Sequence, residues 1–127
     1  MENFSTLNWL AIGLGTIVSF LIGWLWYSPK LFGVKWAEGS GVSLDSADKM
    51  PVFAMVAQIV ALFLLALTIG LTAQVEALIT AILIILAVAS FTASMGGFVK
   101  KSRYAITVDA LYIIVSGAIM IVCQGIL

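Results

Sequence analysis

The chain has 127 residues, 63% hydrophobic and only 9% charged, with six Lys/Arg balancing six Asp/Glu. A soluble domain carries about 25% charge, so this composition selects the bilayer, where each span takes about 20 apolar residues. The absence of His excludes histidine catalysis and histidine metal sites, and the lone Cys123 excludes an internal disulfide and a thiolate metal pair. No metal or cofactor is expected.

Glu2 precedes the first apolar run with no Lys or Arg before it, unlike the positively charged start of a cleavable signal. That run, about 7–28, is long enough to span, with Asn8 and Trp9 at its entrance. It ends in an aromatic cluster. Trp24, Trp26 and Tyr27 have apolar rings with one polar atom each, which suits the headgroup layer. Pro29 disfavours helix just before it, so the span should stop at Tyr27 or Ser28. Beyond it, Phe32 and Trp36 are four apart and would share a face of a short helix, with Leu31 apolar and Lys30 and Lys35 charged. The pattern predicts a turn lying in the interface, apolar side down and lysines up.

Gly39, Ser40 and Gly41 read as a break, and Asp45, Ser46 and Asp48 as helix caps ahead of Pro51. Three more apolar runs follow, at about 51–73, 77–99 and 104–126. In lipid each must satisfy its own backbone, so all four runs are helices. The fold class is an all-α membrane protein, one domain over 1–127, with four spans in an antiparallel bundle. Lys30, Lys35 and Lys49 lie between spans one and two, and Lys100, Lys101 and Arg103 between spans three and four. The positive-inside rule therefore puts both basic loops in the cytoplasm, with both termini and the turn at Gln74, Val75 and Glu76 outside.

Lipid provides no hydrophobic drive between helices, so packing should use small residues. The candidates are Gly13, Thr16, Ser19 and Gly23 in span one, Ala54, Ala57 and Ala61 in span two, Ala89, Ala93 and Gly97 in span three, and Ala110, Gly117 and Ala118 in span four. Gly96 and Gly97 also read as a helix end.

Asp109 is the one ionisable residue well inside a span, about 9 Å deeper than Arg103 along a helix. Such an acid should face protein, a cavity or a partner. Tyr112 and Ser116 follow it on the same face, and Gln58 of span two lies at a similar depth. These four form a candidate polar cluster. Alternatively, Asp109 accepts from Arg103, Lys101 or Lys35 and fixes helix register alone. Lys30, Lys35, Lys100, Lys101 and Arg103 make a basic surface that sets topology and offers contacts to anionic lipid.

The run Trp26-Tyr27-Ser28-Pro29-Lys30-Leu31-Phe32-Gly33-Val34-Lys35-Trp36 resembles the W-Y-S-P-x-L-F-G-x-x-W signature of a family of small bacterial membrane proteins, domain of unknown function (DUF) 1761. A weaker second match is Asp109-Ala110-Leu111-Tyr112 with Val115 and Ser116. The resemblance implies a four-span fold and no established activity. Three functional expectations follow. The first is a non-enzymatic protein of the bacterial inner membrane that associates with helices or lipids, with itself as a partner in a homo-oligomer and no nucleic acid. The second is a small transporter or channel using Asp109 as a proton or cation site. The third is a lipid-modifying enzyme at the cytoplasmic interface around Asp109 and Tyr112.

Overall fold

The structure, a computed structural model, describes residues 3–42 and 52–127. Asp45, Ser46, Asp48, Lys49 and Pro51 lie outside these residues. Among the described residues there is no strand. A short 3-10 turn at Phe4–Thr6 precedes five helices: α1 (Trp9–Trp26), α2 (Gly33–Ser40), α3 (Val52–Gln74), α4 (Leu78–Phe98) and α5 (Arg103–Ile126). Four of them, α1, α3, α4 and α5, are long and apolar enough to cross a membrane, at 18, 23, 21 and 24 residues.

The helices begin and end where local chemistry dictates. Asn8 caps α1 by accepting the Ala11 N–H, and Ser102 caps α5 by accepting the Ala105 N–H, each at 3.1 Å. Helices α3 and α4 both end in a left-handed residue that is not glycine: Glu76 at φ 53° and Lys100 at φ 61°. In each case the amide of that residue and the one after it fold back onto the last turn. Ala77 N–H reaches the Thr72 carbonyl at 2.9 Å, and Lys101 N–H reaches that of Gly96 at 3.0 Å. This is the glycine-type C-terminal motif built without its glycine. Gly41 supplies the same left-handed conformation at φ 74° after α2.

Helix α5 is the hub: it packs against α1, α2, α3 and α4, whereas α4 packs chiefly on α5 and only lightly on α3. Helices α1 and α5 run antiparallel. A Cβ added at Gly15 would lie 3.2 Å from Met120, and one added at Gly23 would lie 2.6 Å from the Tyr112 hydroxyl. Small residues at Gly15, Ser19 and Gly23 thus receive Tyr112, Ser116 and Met120, in the close approach that membrane interfaces need. The stripe differs from the predicted one. Gly13 and Gly97 have open space beside them, while Gly15 does the packing. The buried face of α4 is Ala81, Ile85, Ala89 and Gly96, with Ile85 occupying the gap left by Gly117. Ile12 of α1 fills the gap beside Gly70 of α3, and Leu62, Ala66 and Ile69 complete that core. At the end away from the lysines, the Gln74 side chain bonds the Asn3 carbonyl at 2.6 Å and the Thr6 hydroxyl at 2.9 Å, tying the N-terminal turn to α3.

Candidate functional site

The site is assembled by a reversal of the chain after α1. Tyr27 closes α1, and the Ser28 carbonyl then accepts the N–H groups of Leu31 at 3.1 Å and Gly33 at 2.9 Å. A side chain at Gly33 would run into the Tyr27 carbonyl oxygen and lie 2.7 Å from the Ser28 carbonyl carbon, so glycine is required for the approach. Pro29 sits inside this turn, where its missing N–H costs nothing. The turn sends α2 back toward α5. The break expected at Gly39, Ser40 and Gly41 falls at Gly41, where α2 ends, while Gly39 stands in the last turn of α2, where a larger residue would strike Ser102. Its carbonyl accepts the Ser102 N–H at 2.9 Å.

This folding-back turns the signature aromatics inward. Trp26 packs on Phe32 with ring centroids 4.7 Å apart, and Tyr27 packs edge-on to Trp36 at 4.9 Å. Their polar atoms then meet α5. The Tyr27 hydroxyl donates to Asp109 Oδ1 at 2.6 Å, and Trp36 Nε1 donates to the same oxygen at 2.9 Å. Lys101 Nζ forms an ion pair with Oδ2 at 2.9 Å and lies 5.5 Å from the centre of the Trp36 ring. Trp26 Nε1 donates to the Val108 carbonyl at 3.0 Å. The headgroup-facing belt expected from these aromatics is therefore only partly present. Trp24 is exposed at 61%, but Trp26, Tyr27 and Trp36 have found donors' work inside the protein. Leu31 and Val34 remain on the outside of this segment.

The expected polar cluster separates. Tyr112 does share the Asp109 side of α5, and its ring packs edge-on to Tyr27 at 5.6 Å, but its hydroxyl donates to the Ser19 carbonyl at 2.7 Å. Ser116 is fully buried against α1 and its Oγ has no partner, as is true of Ser19. Gln58 makes no bond to Asp109. Of the three cations that could reach Asp109, Lys101 does so, while Lys35 lies 5.5 Å from the centre of the Tyr104 ring. Lys30 sits exposed in the α1–α2 turn, and Lys100 and Arg103 are exposed at the α4–α5 turn.

Asp109 is thus held by three donors from three parts of the chain, with its side chain 13% exposed. Charge-assisted bonds of this kind are about twice as strong as neutral ones. Among the described residues, no group of three His, Cys, Asp or Glu side chains comes together. Lys101 and Asp109 stand at the polar end of a lateral groove of about 480 Å³ whose walls include Val88, Phe91, Met95 and Val99.

Searches of curated proteins and of solved structures each returned no match. A family model described as "Protein of unknown function (DUF1761)" matches residues 10–125, from the first turn of α1 to the last turn of α5. The matched region contains every residue of the Asp109 site, the four apolar helices fit a multi-pass membrane protein, and the chain belongs to this family of unknown function.

Proposed function

We propose that the protein is a non-enzymatic component of the bacterial cytoplasmic membrane that acts by associating with other helices, including further copies of itself, and with lipid. The observation that carries this reading is that three protein donors, one of them a cation, already hold Asp109. A carboxylate that shuttles protons or binds a transported cation needs an open coordination position and a wet path. Here Oδ1 accepts two bonds and Oδ2 faces the Lys101 ammonium. The network is a clamp that holds α2 and the end of α1 against α5. Lys30, Lys35, Lys100, Lys101 and Arg103 gather at that end of the bundle, which supports a cytoplasmic placement for it and an outer placement for both termini.

The test is flux. Wild-type protein and Asp109→Asn are reconstituted into vesicles carrying an internal pH-sensitive dye and exposed to proton and monovalent-cation gradients. Both should leak no faster than protein-free vesicles. Cation- or proton-driven flux in the wild type that Asp109→Asn abolishes would overturn the reading in favour of a transporter.

A further inference from the structure

We infer that the groove between α4 and α5 is a binding site for one anionic glycerophospholipid, with an acyl chain along α4 and the phosphate at the α4–α5 turn. This rests on the proposed lipid-associating role and names its partner.

The apolar wall of the groove runs along α4 from Val88 to Val99. The eleven steps from Val88 to Val99, the residue just past the end of α4, cover about 16 Å, close to half of a hydrocarbon core of about 30 Å. The groove therefore matches the depth of a single leaflet. Helix α5 does not cover its walls: Phe91 is 73% exposed, Met95 67% and Val99 70%. At its polar end the chain concentrates positive charge. Of the cations here Lys101 alone lines the groove, facing Asp109, while Lys100 and Arg103 stand beside it at the α4–α5 turn, within four residues of chain, and the positive end of α5 begins at Arg103. Asp109 offsets only one of these cations, since Lys101–Asp109 is the only ion pair among the described residues. Lys101 is still 25% exposed, so its ammonium keeps donors for a second acceptor. An apolar slot one leaflet deep that opens beside the extra positive charge of Lys100 and Arg103 fits an anionic lipid better than a zwitterionic one.

The test is native mass spectrometry of the purified protein released from detergent, with phosphatidylglycerol or phosphatidylcholine added in known amounts. Wild type should retain one phosphatidylglycerol per chain and little phosphatidylcholine. The double variant Lys100→Gln/Arg103→Gln should weaken retention by about fivefold for each charge removed. Thr92→Trp, which fills the groove without touching the charges, should weaken it as well. Lys30→Gln removes a charge at the same end but in the α1–α2 turn rather than the α4–α5 turn, and should leave retention unchanged. Equal retention of both lipids, or equal losses from Lys30→Gln and from Lys100→Gln/Arg103→Gln, would overturn the site in favour of diffuse charge. Lipid-free dimers would overturn it in favour of a second copy seated on α4. A lipid-free monomer would overturn the site and leave the non-enzymatic reading standing. A single retained lipid of altered mass would do the reverse.

Discussion

Replacing Asp109 by Asn keeps the shape of the side chain and removes its charge. The Asn carbonyl can still accept from Tyr27 and Trp36, but those two bonds change from charge-assisted to neutral. That change costs about 1 kcal/mol each, as the difference between typical charged and neutral hydrogen bonds. On the other side, the Asn amide now presents N–H donors to the Lys101 ammonium, which stood 2.9 Å from Oδ2. Breaking a fully buried pair costs about 3–5 kcal/mol, and the 25% exposure of Lys101 lets the ammonium find headgroups, so about half of that applies. The sum is about 3–5 kcal/mol. The assay is reversible unfolding in mixed detergent, read by tryptophan fluorescence, because Trp26 and Trp36 lie in the network itself. Lys101→Gln should cost less, about 1–2 kcal/mol, since it leaves the carboxylate two donors. In the double variant the losses should fall short of additive by about 1–2 kcal/mol. Stability of Asp109→Asn within about 0.5 kcal/mol of wild type would refute the clamp, because a difference that small is what sites without such contacts show.

Three further outcomes are expected. Gly33→Ala should destabilise by more than about 2 kcal/mol, since its Cβ meets backbone that cannot move away, whereas Gly13→Ala, with open space beside it, should be neutral or slightly stabilising; thermal melts of the two variants separate the cases. Ser116→Ala should raise stability by about 1 kcal/mol in the same unfolding assay, because its buried hydroxyl has no partner to lose. Glu76→Gly should also stabilise, by up to about 1 kcal/mol, by relieving the left-handed strain at φ 53°; a melting temperature that falls would show that the Glu76 side chain contributes more than its backbone costs.

The four spans were legible because hydropathy over about 20 residues is a signal integrated over the whole element. The partner of Asp109 was legible in part. Lys101 lies eight residues away on the same turn-and-helix unit, and a long cationic side chain near an acid is a local signal. Tyr27 and Trp36 are 82 and 73 residues away, and an indole N–H aimed at water has the same sequence as one aimed at a carboxylate. What decides between them is the reversal at Ser28 to Gly33, a matter of backbone approach that periodicity does not encode. Gln58 failed for a related reason. Depth along a span follows from counting residues, but which way a residue faces depends on neighbours. Tyr112 was placed on the right face, yet Gly23 opens a space on α1 that draws its hydroxyl to the Ser19 carbonyl instead. The break at Gly39 to Gly41 was legible, since Gly41 ends α2, but the contact that Gly39 permits with Ser102 was not, because glycine in sequence signals freedom rather than close approach.

The central position of α5 also has a bearing on how the protein comes into being. Synthesis runs from the N-terminus, so α5, the helix that touches all the others, emerges after them. Until it arrives, Gly15, Ser19 and Gly23 face lipid across a seam that nothing fills, and α4 has only its light contact with α3 to hold it. Tyr27 and Trp36 wait without their acceptor. Helix α5 supplies the seam for α1, the support for α4 and the carboxylate that locks α2, so closure of the bundle waits on that helix.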